Sequence, residues 1–146
     1  MLGYKLALME AGIAPEERLI EHGDYTIDSG VKCLKRLVQN NKDMTAVFVA
    51  NYEMTVGVVI GINELGIKIP EELSVIGFDN VEFARACKPK LTIVTQPKEE
   101  IGKNVAEIIL QRIEENNSKS NSNQETEYKI LKLQTDIMEG NSVRAI

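Results

Sequence analysis

The chain alternates short apolar runs with longer segments of helical periodicity, and this alternation limits the folds that it can adopt. Three β-rich runs, at 45–49, 73–78 and 91–94, are separated by segments whose apolar residues recur every three or four positions. Such an order is typical of a parallel sheet covered by helices. The sequence therefore predicts an α/β fold with a doubly wound parallel sheet and right-handed crossovers. The continuous apolar run at 45–49 predicts a strand that is covered on both faces.

Helices are predicted at about 4–12, from Asp28 to Val38, and over 53–65. Asp28 is the expected N-cap of the second helix, and Gly66 is suited to end the third. A long helix is expected to begin at Pro97, because proline is favoured at the first helical position.

Shorter strands are predicted outside the central pattern. Leu19 and Ile20 are expected to form one, and the terminal residues 127–133 and 135–138 are expected to form two more. The polar residues 116–123 between these strands and the long helix predict a loop.

Composition excludes several classes of function. The 146 residues carry a net charge of -5 and show no basic stripe, which argues against DNA binding by this chain alone. We find no signal peptide and no apolar run of membrane-spanning length, so a cytoplasmic location without membrane contact is expected. Cys33 and Cys87 are interpreted as reduced thiols. No metal-ligand spacing or cofactor motif is present, and neither a metal nor a cofactor is expected.

Polar and aromatic side chains follow the predicted strands. In open α/β sheets, ligands bind beyond the carboxyl ends of the strands. The side chains that follow the predicted strands combine carboxylate, amide and aromatic groups, and this combination suits a ligand rich in hydroxyl groups. Asn51 and Asp79 have an alternative role as helix caps, and Tyr25 has one as a core ring. The candidate ligand contacts are Tyr25, Asn51, Tyr52, Asp79 and Gln96.

Two further features leave alternatives open. His22 is the only histidine, so any histidine-based triad must use it, although a surface position fits it better. Gly57 and Gly61 allow another backbone to approach the 53–65 helix, either in packing on the chain's own sheet or at a subunit interface.

Three segments resemble motifs of the LacI/GalR family of bacterial transcription regulators. They are residues 45–51 (TAVFVAN), 66–80 (GIKIPEELSVIGFDN) and 89–97 (PKLTIVTQP), and weaker similarity extends over nearly the whole chain. The second segment is similar almost position by position and is highly specific. The stretch from Ile76 to Gln111 looks closest to the purine-repressor and ribose-repressor branch.

The resemblance implies a type I periplasmic-binding-protein-like fold, in which two lobes enclose a sugar-like or purine effector. Residues 1–95 would form mainly the C-terminal lobe, 96–126 a crossover helix and loop of the other lobe, and 127–146 the terminal strands. It places Tyr25 against the ligand, Asn51 and Asp79 at polar contacts and Gln96 at the crossover. Tyr52 stands where the family usually has aspartate.

The same resemblance implies a homodimer through the 53–65 helix and the segment after Asp79. Neither a helix-turn-helix nor a first lobe is found in this sequence, so DNA would be contacted only through an N-terminal head outside it. In the family, the helix that corresponds to the isoleucine-rich helix after Pro97 packs on the other lobe. In this chain, that helix is predicted to dock on its own sheet or on a second chain.

An allosteric sensor of a transcription regulator is therefore the leading functional hypothesis. The alternatives are a solute-binding component of a sugar transporter and a dimerising fragment without ligand. An enzyme acting through Asp79 or His22 is disfavoured, because the sequence offers no activated nucleophile or base pair.

Overall fold

The computed structural model describes residues 1–118 and 130–145, with side chains described up to residue 115 in the first range. Within these residues the chain forms helices and strands in alternation. The helices are α1 (Leu2–Glu10), α2 (Ile27–Asn40), α3 (Tyr52–Leu65), α4 (Val81–Ala86) and α5 (Lys98–Ser118), and a 3-10 turn spans Glu17–Leu19. The strands are β1 (Ala46–Phe48), β2 (Ser74–Phe78), β3 (Thr92–Thr95) and β4 (Asp136–Met138).

The strands form one sheet in the order β1-β2-β3-β4. β1, β2 and β3 run parallel, with Ala46 opposite Ser74 and Ile76 opposite Thr92. β4 pairs antiparallel to β3. Because α3 and α4 connect the parallel strands, the predicted α/β class is confirmed, with an antiparallel strand added at one edge of the sheet.

The core lies between the sheet and the helices that cross it. Leu34 of α2 and Ile62 of α3 are almost fully buried, as are Val75 of β2 and Ile93 of β3. Burying each such side chain contributes about 1.5–3 kcal/mol to the hydrophobic stabilisation of the fold. Gly66 ends α3 with a left-handed φ of 68°, as the sequence predicts.

The helices α2 and α3 pack closely through glycine. A Cβ atom on Gly57 would lie 2.0 Å from the carbonyl oxygen of Ile27, and one on Gly61 would lie 3.0 Å from Leu34 Cδ2. The close approach that these two glycines allow is therefore used between two helices of the same chain, so the predicted packing of these glycines on the chain's own sheet is wrong.

Three local predictions are wrong. Leu19 lies in a 3-10 turn and Ile20 has extended backbone outside the sheet, because no strand of the described segments lies beside it to form a hydrogen-bond ladder. Thr26, rather than Asp28, caps α2, since its side chain accepts a hydrogen bond from Ser29 N. Of the strand predicted at 127–133, residues 130–133 form no strand and 127–129 lie outside the described residues. The strand predicted at 135–138 is confirmed as Asp136–Met138.

Two apolar surfaces are more exposed than predicted. β1 is not covered on both faces, because its alternate residues Ala46 and Phe48 are exposed, Phe48 to 47%. On α5, Val105, Ile109 and Ile113 are 49%, 53% and 51% exposed. Docking of α5 on its own sheet is therefore wrong, while docking on a second chain stays a prediction. No helix in the described part of the chain combines the length and apolar character needed to cross a membrane.

Candidate functional site

Three candidate residues follow three neighbouring parallel strands. β1, β2 and β3 end at Phe48, Phe78 and Thr95, and the chain continues into Asn51, Asp79 and Gln96. Because the strands are parallel and paired in register, these three residues lie along the same edge of the sheet. We call this edge, with the loop that holds Tyr25, the carboxyl edge.

Asp79 adopts an unusual backbone conformation at the end of β2. Its φ is 59° and that of Asn80 is 53°, so two consecutive residues are left-handed. The amide of Asp79 donates to the carbonyl of Val94 at 2.7 Å, which holds the residue beside β3. The cap of α4 is Asn80, whose side chain accepts from Phe83 N at 2.9 Å. The capping alternative for Asp79 is therefore wrong, and its carboxylate is available for other contacts.

Both carboxylate oxygens of Asp79 are contacted by residues that follow β3. The ammonium of Lys98 lies 2.9 Å from Oδ1, and Gln96 Nε2 lies 3.4 Å from Oδ2. The hydrogen bond to Asp79 raises the pKa of Lys98, so its ammonium stays protonated. The sequence predicts Asp79 and Gln96 but misses Lys98. Its only local signal is a cation in the first turn of a helix, where the helix dipole disfavours it.

Asn51 caps α3, as its alternative role predicts. Its side-chain oxygen accepts from Met54 N at 3.0 Å. Thr55 reinforces the turn, because its hydroxyl donates to the carbonyl of Asn51 at 2.7 Å and accepts from Phe78 N at 3.3 Å. The capping contact uses only the amide oxygen of Asn51 and leaves its NH₂ group for a ligand.

The two tyrosines occupy different environments. Tyr25 is 72% exposed and has a φ of 66°, so its alternative role as a core ring is wrong. Tyr52 is half-buried and packs edge-to-face on Phe83, with ring centroids 6.1 Å apart. The loop of Tyr25 lies beside the first turn of α3, since a Cβ atom on Gly23 would meet the side chain of Met54.

Hydrogen bonds order the loop that presents Tyr25. The Thr26 hydroxyl donates to Asp24 Oδ1 at 2.6 Å, and the Thr26 amide donates to the same oxygen at 3.1 Å. These bonds, the hydroxyl first, and the Ser29 hydroxyl lower the pKa of Asp24 to about 2. Asp24 is therefore ionised over the physiological pH range.

Other chemistry is sparse in the described residues. His22 is exposed, in agreement with its predicted surface position, and lines a cavity of about 320 Å³ with Asp24, Lys32 and Arg36. Cys33 and Cys87 are free thiols, and burial raises the pKa of each. Within the segments that the structure covers, no group of three or more acidic, histidine or cysteine side chains could hold a metal ion.

Known proteins share this sequence pattern over the chain. The family of the periplasmic binding protein-like domain matches residues 1–143. The transcriptional repressor PurR of Vibrio atlanticus is 37% identical over 144 residues, which are 99% of this chain and 41% of that protein. The catabolite control protein A of Priestia megaterium is 41% identical over 100 residues, 68% of this chain and 30% of that protein.

Solved structures share the fold. A complex of the transcriptional regulator CelR with cellobiose superimposes with a TM-score of 0.83 and 33% identity, covering 96% of this chain and 40% of that one. A LacI-family regulator from Enterococcus faecium with bound ribose superimposes with a TM-score of 0.76 and 31% identity. The match covers 97% of this chain and 49% of that one. The chain spans between 30% and 49% of the length of these four relatives. This chain therefore belongs to the LacI family of transcriptional regulators, with the fold of their periplasmic-binding-protein-like domain.

Proposed function

We propose that this chain senses a small polar effector for a LacI-family transcription regulator. The observation that carries the proposal is that Asn51, Asp79 and Gln96 follow three adjacent parallel strands at one edge of the sheet. Open α/β sheets bind ligands at this edge. Effector binding there would favour one conformation of the regulator and so change its affinity for DNA.

Each of the five candidate residues has a distinct role in this proposal. The exposed ring of Tyr25 covers an apolar face of the ligand, and Tyr52 extends that wall. The NH₂ group of Asn51 donates a hydrogen bond and the carboxylate of Asp79 accepts one. Gln96 positions Asp79 and marks the crossover between the lobes.

The effector class that we propose is a sugar or a purine. Two of the structural neighbours hold sugars, one cellobiose and the other ribose, which supports the sugar. The similarity of the segment from Ile76 to Gln111 to the purine-repressor branch supports the purine. In both classes, hydrogen-bonding groups lie around the rim of a ring that an aromatic side chain can cover.

We infer that the regulator acts as a homodimer in the cytoplasm, without catalysis by this chain. The dimer would form through the outer side of α3, where Ile60 and Leu65 are partly exposed, and through the segment after Asp79. DNA would be contacted by a helix-turn-helix head outside this sequence, of the type named in the PurR relative. Division into a C-terminal lobe at 1–95, a crossover segment at 96–126 and terminal strands at 127–146 belongs to the same proposal.

The test is a thermal melt of the purified chain against pentoses, hexoses, their phosphates and purines. A ligand at about a hundred times its dissociation constant adds roughly 2.7 kcal/mol to the free energy of unfolding. The expected result is a clear rise in Tm for one compound, which is lost in Asp79→Ala. Glu71→Gln, an exposed carboxylate that precedes β2 at the opposite end of the strand, is the matched control. No rise for any compound would overturn the proposal.

A further inference from the structure

The geometry points to Lys98 as a specificity-determining residue of the effector site, which pairs with Asp79 so that the site takes an uncharged, hydroxyl-bearing ligand and rejects its phosphate ester. This inference rests on the effector site proposed above and goes beyond it in naming the charge of the ligand. It starts from the ion pair between Lys98 Nζ and Asp79 Oδ1, at 2.9 Å.

The position of Lys98 has no explanation within its own helix. It is the first residue of α5, where the partial positive charge of the helix end disfavours a cation. The two residues that follow, Glu99 and Glu100, are acidic, as helix dipoles favour. Lys98 is therefore compensated from outside α5, by Asp79 at the end of β2 and by Glu82 in the first turn of α4, which also raises its pKa.

This cluster has no positive charge left for an anionic ligand. It contains Asp79 and Lys98, whose charges neutralise each other, and Glu82, which lies in the first turn of α4 three residues after Asp79. A phosphate group brought to Asp79 would meet a net negative charge, and like charges at close range cost free energy. A neutral ligand avoids this repulsion.

The same cluster suits two neighbouring hydroxyl groups of one ligand. The Asp79 side chain is 20% exposed and that of Lys98 is 63% exposed, so both are accessible from the carboxyl edge. An ammonium has three donors, of which Asp79 uses one. One ligand hydroxyl can donate to the Asp79 carboxylate while its neighbour accepts from Lys98, and charge-assisted bonds of this kind are stronger than neutral ones.

The experiment is a double-mutant cycle on the purified chain, in which titration calorimetry measures the affinity for each ligand. The variants are Lys98→Met, Asp79→Asn and the double variant, and the probes are ribose, glucose and cellobiose with ribose 5-phosphate and glucose 6-phosphate. We expect Lys98→Met to weaken the binding of the neutral sugar about five-fold. Asp79→Asn frees the ammonium, so it should shift the preference towards the phosphate ester by a similar factor. The double variant should lose that shift.

Two controls separate this effect from a general loss of structure. Lys98→Arg retains the ion pair and should retain the preference for the neutral sugar. Lys103→Met removes an exposed lysine farther along α5 and should change nothing. A thermal melt of each variant without ligand reports its fold, and the preference ratio between sugar and phosphate is insensitive to a partial loss of active protein.

The outcomes distinguish the two proposals. If the wild-type chain binds a neutral sugar and Lys98→Met binds it equally well, only the role of Lys98 is overturned. The same holds if the phosphate ester binds as tightly as the sugar. It also holds if no sugar binds but a purine raises the Tm of the chain in the thermal melt proposed above. If no sugar, sugar phosphate or purine binds the wild-type chain by calorimetry or thermal melt, the effector site itself is overturned, and the role of Lys98 with it.

Discussion

Ser142 and Val75 are joined by two hydrogen bonds. The amide of Val75 donates to the carbonyl of Ser142 at 2.8 Å, and the Ser142 hydroxyl donates to the carbonyl of Val75 at 2.6 Å. The same hydroxyl accepts from Thr92 N at 2.8 Å, and the side chain is completely buried. One serine near the end of the sequence therefore connects the beginnings of β2 and β3.

We expect Ser142→Ala to lower the free energy of unfolding by about 1–3 kcal/mol, because it leaves the buried amide of Thr92 without its acceptor. Urea denaturation followed by circular dichroism measures this loss. Thr135→Ala removes an exposed hydroxyl just before β4 and should stay within about 0.5 kcal/mol of the wild type. Equal stability of the two variants would show that the Ser142 hydroxyl does not contribute.

Adding one methyl group to α3 should separate it from α2. We expect Gly57→Ala to lower the free energy of unfolding by about 1–3 kcal/mol or more, because the new Cβ would lie 2.0 Å from a backbone oxygen that cannot move freely. Gly102→Ala in α5 meets no atom within 4 Å and should stabilise the chain by up to about 1 kcal/mol. Thermal melts of both variants measure the change in stability of each relative to the wild type, and the two changes should have opposite signs.

The cap of α3 can be separated from the ligand contact at Asn51. Asn51→Ala should lower the free energy of unfolding by about 1 kcal/mol, because Met54 N loses its acceptor. Asn51→Asp retains an N-cap oxygen and should retain the stability, yet it lacks the NH₂ donor and should bind the effector more weakly. Chemical denaturation and ligand titration of both variants test this. Full binding by Asn51→Asp would exclude the amide from the site.

The hydrogen bonds that order the loop of Tyr25 should weaken in acid. The pKa of Asp24 is about 2 in the folded chain, below the ordinary value of 3.8, because Thr26 donates to its carboxylate. The folded state therefore gains stability from ionised Asp24 above about pH 4 and loses it as the pH falls towards about 2. Carbon NMR titration of the Asp24 carboxyl group measures the pKa directly.

A matched pair of variants at Thr26 identifies the cause of that shift. Thr26→Val removes the hydroxyl donor and should raise the pKa of Asp24 towards its ordinary value. Thr26→Ser keeps the donor and should leave the pKa of Asp24 at about 2. An unchanged pKa in Thr26→Val would show that the hydroxyl is not the main cause.

The exposed face of α5 should promote association of the chain with itself. Val105, Ile109 and Ile113 are each about half exposed, and apolar patches of this kind are usually covered. Ile109→Glu should therefore lower the apparent mass in concentration-dependent light scattering. Gln111→Glu adds the same charge about 200° around the helix and should not. A wild-type chain that stays monomeric at all concentrations would contradict this prediction.

The sequence by itself determined the helices and strands whose formation depends on residues close together in the chain. The helix over Tyr52–Leu65 and its end at Gly66 were predictable, because apolar periodicity and a left-handed glycine act within a few residues. The same holds for β2 and β3, whose β-rich runs lie between turn residues. Family membership was predictable from the motifs at 45–51, 66–80 and 89–97. The candidate residues Asn51, Asp79 and Gln96 were predictable because each follows a predicted strand in the sequence.

Tertiary structure decided what depends on partners distant in the chain. Leu19 and Ile20 have strand-forming residue types but no neighbouring strand, so they stay outside the sheet. Ser142 is buried because it meets β2 and β3 across 67 and 50 residues, and no local pattern marks it. Lys98 reaches Asp79 only because β2 and β3 pair in parallel. Sequence periodicity reports which residues share a face, whereas contacts between elements depend on the register and order of the sheet.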